Sequence, residues 1–173
     1  SISPTSVKIA EVIEAQTALF TAQCYELYGL PALGSLVRTA DIYGIVSNAA
    51  TTPLEPGRKP IARGRDAASE EAIFQENPQL ARLFSSEFTA VVVGFREGDK
   101  VRQYLPARPA RIHGFVYLCE PDEVRDFSRS FAFLEILLDT ALPIPPHELI
   151  AATLRQMLQV QQDRQAFRIA AGK

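Results

Sequence analysis

The chain has 173 residues, of which 47% are hydrophobic and 22% charged, and these are the proportions of an ordinary globular domain. A chain of this length hides roughly 70% of its unfolded surface, so neither disulfides nor a metal are needed to hold it together. The formal net charge of −2 excludes a general demand for a polyanionic partner, and any basic site must therefore be local.

The two cysteines, Cys24 and Cys119, each lie in an apolar, strand-like run. Two cysteines are too few for a secreted disulfide scaffold, and they lack the spacing of metal ligands. We therefore expect buried free thiols and a reducing compartment, either the cytoplasm or one similar to the plastid stroma. No apolar run reaches the length of a membrane span, and the N-terminal stretch lacks the pattern of a secretion signal, so no membrane partner is expected.

The first block of the chain, from Val7 to Asn48, carries apolar residues at strand periods, in short runs separated by turn formers. These runs are VKIAEVIE, ALFTAQCYEL, SLVRT and DIYGIVS. They predict four consecutive strands of a meander. Because the edges of such strands need cover, the pattern favours a small closed β-barrel over an open sheet.

The segment from Asn48 to Gly64 is rich in proline and shows neither helical nor strand periodicity, so we predict a loop. Ser69, followed by two glutamates, predicts the start of a helix, and Asn77 before Pro78 predicts a capped second short helix. The β pattern then returns. The stretch EFTAVVVGFREGDKVRQYLP predicts a hairpin that turns at EGDK, with VVVGF fully buried, and RIHGFVYLCE predicts a further strand.

Beyond Glu120 the pattern is helical. Pro121 suits the first turn of a helix, SFAFLEILLDT predicts a short buried helix, and PPHELIAATLRQMLQVQQDRQAFRI predicts a longer one that ends in an exposed or frayed tail or a partner helix. The predicted fold class is α+β. A small closed β-barrel of about six strands occupies residues 1–120, with the loop and a helical insertion at about 49–86, and a C-terminal helical segment, 121–173, packs on it.

Motifs for catalysis and cofactor binding are missing from the sequence. GLPALGSL has the glycine spacing of a P-loop but lacks a lysine after Gly34, and we interpret it as a turn between strands. The sequence also contains neither the dinucleotide-binding motif G-x-G-x-x-G nor the serine-nucleophile motif G-x-S-x-G. His113 and His147 lack metal-ligand spacing, and we expect His113 in a strand with one ring nitrogen satisfied. We therefore predict no catalytic residue, no metal and no cofactor, although an active site assembled from distant residues stays an open alternative.

The stretch PGRKPIARGRD, from Pro56 to Asp66, is the most suggestive surface feature, and we call it the basic loop. It places four cations among prolines and glycines: Arg58, Lys59, Arg63 and Arg65. Three arginines that flank the later strands are candidate companions in space: Arg102, Arg108 and Arg111. Arginine binds phosphate and carboxylate groups through paired N–H donors, so these seven residues form the candidate binding site.

Three interpretations of the basic loop stay open. In the first, its cations are solvated and pair with nearby acids, namely Glu55, Asp66, Glu70 or Glu71. In the second they bind a protein partner, and in the third they bind nucleic acid or a nucleotide. Nucleic-acid binding by a small barrel normally adds exposed aromatic side chains for base stacking. The available ones fall where core residues are also expected: Tyr43, Phe88 and Tyr104.

Three stretches of the first block also form a recognisable succession: AEVIEAQTALFTAQCYE supplies an opening strand and a second apolar strand, GSLVRT a G-x-L-V strand, and DIYGIVSNA an I-x-G-x-V strand. This succession resembles the HAS-barrel family, the small β-barrels of HerA-type helicases and of the N-termini of rotary ATP synthase subunits. Ala10 stands where the family's usual G-x-V opening has glycine. The resemblance covers roughly Ser6 to Ala50, and it extends to Leu118 if the later strands belong to the same barrel.

The whole chain is similar to a group of cyanobacterial and plastid proteins that join such a barrel to a C-terminal helical segment, on the stretches FTAQCYELY, PGRKPIARGRD and RIHGFVYLCEPDEVRDF. In the ATPases of the family the barrel is a non-catalytic collar or assembly element. The resemblance therefore implies a non-enzymatic module that engages a larger protein complex, or itself, through the basic loop, the C-terminal helix or both. RNA or nucleotide binding by the barrel and its arginines is the alternative.

Overall fold

The computed structural model describes residues 6–172, which fold as an α+β protein, the predicted class. The strands are β1 Lys8–Ala15, β2 Leu19–Cys24, β3 Leu36–Thr39, β4 Ile42–Pro53, β5 Phe84–Glu97, β6 Lys100–Arg102 and β7 Phe115–Leu118. The helices are α1 Glu70–Glu76, a 3₁₀ segment Pro78–Arg82, α2 Pro121–Phe127, α3 Leu134–Asp139 and α4 Pro146–Ala171.

All strand pairs are antiparallel, and six strands pair in a closed cycle in the order β1, β2, β5, β4, β3, β7 and back to β1. The strand β6 joins β5 as a hairpin outside this cycle. The predicted four-strand meander is wrong in its middle, because β2 pairs with β5 and β3 pairs with β7. Short apolar runs indicate strands. The second partner of β2, which is β5, and the second partner of β3, which is β7, come much later in the chain.

Two hydrophobic cores share the sheet. One fills the inside of the strand cycle and includes Phe20, Phe88 and Val116, while the other lies between the sheet and α2, α3 and α4. The strand β5 contributes to both, with Val92 in the first core and its neighbours Val91 and Val93 in the second. A strand that is covered on both faces has a continuous apolar sequence. This confirms the predicted burial for residues 91–94 of VVVGF, whereas Phe95 is only half-buried.

The predicted loop from Asn48 begins only after Pro53, because β4 continues to that residue, where it pairs with Phe84 of β5. The side chains of Ala49 and Ala50 are exposed and small, so this end of the strand shows no apolar alternation in the sequence. The insertion between β4 and β5 is therefore residues 54–83. Its first helix begins as predicted, since the Ser69 hydroxyl accepts a hydrogen bond from the Ala72 amide at 3.2 Å.

Three helical details differ from expectation. The Asn77 side chain donates back to the Ile73 carbonyl at 3.0 Å instead of capping the 3₁₀ segment that Pro78 opens. Only Leu137 of α3 is fully buried, because one face of this short helix is open to solvent. The last described residues, 168–172, are exposed, which confirms that part of the expected tail, but α4 stays helical to Ala171, so the frayed alternative is wrong.

The segment that resembles a P-loop is a turn between β2 and β3, as predicted, and it positions α4. Gly34 has a φ of +87°, and a Cβ atom there would lie 2.5 Å from the carbonyl carbon of Ala152. Only glycine permits both this left-handed backbone and so close an approach of the helix. Leu149 and Met157 then bury one face of α4 in the second core.

Candidate functional site

The basic loop runs between two turns. The Arg58 amide donates to the Glu55 carbonyl at 3.2 Å, and the Ala67 amide donates to the Gly64 carbonyl at 3.1 Å. Between Arg58 and Gly64 the chain has no helix, turn or bend. Within residues 6–172, no backbone hydrogen bond reaches residues 59–63. The centre of the loop is therefore open chain, in which the carbonyl groups, and the amide groups of all residues except Pro60, are free.

The cations of the loop are largely unmatched. Arg58 pairs with Glu55 at 2.9 Å, which confirms one contact of the solvated-loop interpretation, and an exposed pair of this kind contributes under about 1 kcal/mol. The exposed side chains of Lys59, Arg63 and Arg65 form no ion pair or hydrogen bond with any residue that the structure describes. These three cations therefore face solvent without a direct ion-pair partner.

The two ends of the insertion are joined to each other, and the basic loop rests on the insertion's own helix, α1. The Leu54 amide donates to the Leu83 carbonyl at 2.9 Å, which closes the base. Gly64 lies against the Ile73 side chain, where an added Cβ would stand 2.6 Å from Cδ1, so the far end of the loop rests on α1. The loop is thus an open segment whose far end contacts α1, a helix of the same insertion.

Exposed apolar side chains accompany these cations. Ile61, in the middle of the loop, is 77% exposed. At the base of the insertion, Phe74 of α1 meets Tyr28 edge to face with ring centroids 6.4 Å apart, and both rings stay partly open to solvent. Sequence reasoning singled out neither Ile61 nor Tyr28, although an isoleucine between cations in a proline-rich loop is a visible signal.

The three companion arginines belong to another part of the fold. Arg102 lies on β6 opposite Phe95, whereas the insertion returns to the sheet at Phe84, so roughly 36 Å of β5 separates the two attachment points. The Arg111 carbonyl accepts from the Gly114 amide at 2.9 Å, and Gly114 borders Thr39 at the same end of the sheet as Arg102.

Among the described residues, no hydrogen bond or ion pair joins the companion arginines to the basic loop. Arg108 and Arg111 are exposed, and Arg102 contacts Glu97 at 3.5 Å. The seven candidate residues therefore do not form one site: four lie on the basic loop, Arg102 lies on β6, and Arg108 and Arg111 lie between β6 and β7.

The aromatic side chains considered for base stacking are mostly in the core. Tyr43 and Phe88 are buried, and only Tyr104 is exposed. A different pair, Tyr25 and Phe115, is exposed on the outer face of the sheet, with the Lys8 ammonium 5.4 Å and 4.0 Å from their ring centroids. The sequence analysis missed this pair because Tyr25 follows β2 and Phe115 begins β7, and these strands lie far apart in the chain.

The prediction that His113 lies in a strand is wrong. It lies in a turn before β7 and has a φ of +67°. One ring nitrogen is satisfied as expected, since Nδ1 lies 2.5 Å from Oε2 of Glu11. The Tyr25 hydroxyl donates to the other oxygen of Glu11 at 2.8 Å. The hydrogen bonds from His113 and Tyr25 lower the pKa of Glu11, while burial and the contact with Glu11 raise the pKa of Tyr25 to about 12.

Four charged side chains and one tyrosine hydroxyl lie between the sheet and α2. We call them the buried charge cluster: Arg38, Glu123, Arg96, Asp126 and Tyr43. Nε of Arg38 donates to Glu123 at 2.7 Å, with side chains 5% and 17% exposed. Arg96 donates to the Tyr43 hydroxyl at 3.0 Å and to Asp126 at 2.9 Å. Both acids are on α2 and both arginines are on the sheet, so the cluster fixes this helix in place.

Cysteine chemistry is not favoured beside this cluster. Both thiols are free and buried, as predicted. Burial raises the pKa of Cys119 well above its ordinary value and that of Cys24 to about 11. A buried, protonated thiol is a poor nucleophile and a poor metal ligand.

The described residues contain no group of three or more His, Cys, Asp or Glu side chains placed to hold a metal ion. None of the helices within residues 6–172 combines the length and apolar character that a bilayer crossing requires. In comparisons with known proteins, no protein-family model matches the chain, and no curated protein is significantly similar to it.

Proposed function

We propose that the closed cycle of six strands is a HAS-like β-barrel, and that the protein is a non-enzymatic binding or assembly module. It engages a larger protein complex through the basic loop. The observation that carries this proposal is the set of exposed cations without internal partners: Lys59, Arg63 and Arg65. Exposed cations without ion-pair partners attract acidic groups of a partner and influence the orientation of docking.

Two contacts within the insertion support the same function. Binding a flexible segment costs conformational entropy, and fixing the segment beforehand lowers that cost. The hydrogen bond between Leu54 and Leu83 closes the insertion at its base, and the contact of Gly64 with Ile73 limits the movement of the loop relative to α1 before any partner arrives. The exposed face of α4 that includes Leu158 and Ile169 is a second docking element of the proposed module.

Nucleic-acid binding is the second candidate function, and one observation favours it. Tyr25 and Phe115 flank the Lys8 ammonium on the outer face of the sheet, an arrangement that suits base stacking beside a phosphate. The carboxylate of Glu11 lies in the same patch and repels phosphate. We therefore place this function behind protein binding.

An affinity pull-down from a native lysate at low salt tests the proposal. The wild type is compared with a loop variant in which Arg58, Lys59, Arg63 and Arg65 are changed to Ala. The matched control removes the same charge from exposed positions outside the basic loop: Arg82, Lys100, Arg125 and Arg155. A parallel sample of each is treated with nuclease.

We expect a protein that is captured by the wild type and by the control variant, is lost with the loop variant, and is indifferent to nuclease. Equal capture by the wild type and the loop variant would contradict the proposal. Loss of all capture after nuclease treatment would transfer the function to nucleic-acid binding.

A further inference from the structure

We infer that the centre of the basic loop is a linear recognition motif, which pairs in extended form with an acidic, strand-forming segment of a protein partner. In this pairing Ile61 lies against an apolar side chain of that segment. This inference rests on the proposed function of the loop as a docking element. It adds the chemistry of the partner and the geometry of the contact.

The backbone of the loop carries the first part of the argument. Residues 59–63 are exposed and have no backbone hydrogen bonds within the described chain, and no turn or bend interrupts them. Pro60 restricts its own φ to the range of extended and polyproline conformations. An extended segment with free amide and carbonyl groups binds a partner strand through main-chain hydrogen bonds.

The spacing of the side chains carries the second part. In an extended chain, residues two positions apart lie on the same side, so Lys59, Ile61 and Arg63 share one face. This face presents an apolar side chain between two cations. The complementary strand has an acid, an apolar residue and an acid at alternating positions, since cross-strand neighbours on one face contact each other directly.

The exposure of Ile61 distinguishes a protein partner from nucleic acid. A phosphate backbone is bound by the cations alone and gains nothing from an aliphatic side chain. Ile61 is 77% exposed in the free protein, so a partner that covers it removes most of an isoleucine side chain from water. Such burial corresponds to a gain of about tenfold in affinity.

The test uses the whole protein and three labelled probes, with binding followed by fluorescence anisotropy. The first probe is a short peptide with the core Glu-Thr-Val-Thr-Glu, which matches the inferred pattern. The second has the core Glu-Thr-Glu-Thr-Glu, which carries more negative charge but no apolar residue. The third is a single-stranded uridine oligomer, which offers phosphates alone.

The proteins compared are the wild type, Ile61→Ala, and the control Ile112→Ala, which changes another exposed isoleucine in a loop. We expect the Val-containing peptide to bind the wild type more tightly than the all-Glu peptide does. We also expect Ile61→Ala to weaken its binding by about tenfold and Ile112→Ala to leave it unchanged. Circular dichroism confirms that both variants are folded.

Equal or tighter binding of the all-Glu peptide would overturn the inference, because charge alone would then decide affinity. No binding of either peptide, or tightest binding of the uridine oligomer, would overturn it as well. Each of these outcomes is separate from the pull-down, in which capture that depends on the four loop cations would still support docking through the loop.

Discussion

Breaking the buried charge cluster should cost the protein a large part of its stability. In the Arg38→Met variant, the carboxylate of Glu123 stays between the sheet and α2 without its cation. Removing one member of a buried pair costs about 3–5 kcal/mol, and the 17% exposure of Glu123 favours the lower half of this range. For a chain of 173 residues, about 3–4 kcal/mol corresponds to a fall in Tm of about 6–16 °C.

Urea unfolding followed by circular dichroism measures this cost in a double-mutant cycle of Arg38→Met, Glu123→Leu and the double variant. We expect the double variant to be within about 1 kcal/mol of the wild type, because no unpaired charge remains in the interface. Unchanged m-values would show that the extent of unfolding is the same. A loss of less than about 1 kcal/mol in Arg38→Met would refute the reasoning, since the pair would then behave as a solvated surface pair.

Three further predictions follow from the fold. Gly34→Ala should lower the free energy of unfolding in urea by more than Gly57→Ala does. Both positions have a positive φ, which costs Ala about 1–2 kcal/mol. Only at Gly34 would a Cβ also meet the backbone of α4. The stabilisation that depends on the Glu11 carboxylate should be present above pH 4.5 and lost as the pH falls through the lowered pKa of Glu11. The difference in urea midpoint between the wild type and Glu11→Gln should therefore shrink in acid. Cys24 and Cys119 should react with a thiol reagent at mildly alkaline pH only after unfolding, because burial raises the pKa of both thiols. Rapid labelling of the native protein would contradict this prediction.

The sequence predicts the strands of this fold better than their order. Runs such as SLVRT are visible because buried strands need apolar side chains, and a hairpin such as β3–β4 follows from its short turn. The pairing of β2 with β5 and of β3 with β7 depends on residues far apart in the chain, which no local pattern encodes. The last part of β4 was missed because its exposed side chains carry no periodicity.

The site shows the same division. The exposure of the basic loop is predictable, since cations, prolines and glycines cannot form a core. The position of Arg102 is not, because the loop and β6 attach at opposite ends of β5. Arg38 was overlooked within an apolar run, although an arginine in a buried strand requires an acidic partner. That partner, Glu123, follows 85 residues later.

Hydrogen–deuterium exchange of the protein, alone and in complex with the partner recovered by pull-down, tests the central role of the basic loop most directly. In the free protein the amides of residues 59–63 should exchange rapidly, because no backbone hydrogen bond protects them. In the complex we predict strong protection of this segment and little change on the outer face of β1 and β7. Unchanged exchange in the loop, with new protection on α4 or on that outer face, would contradict the account and identify another surface as the docking site.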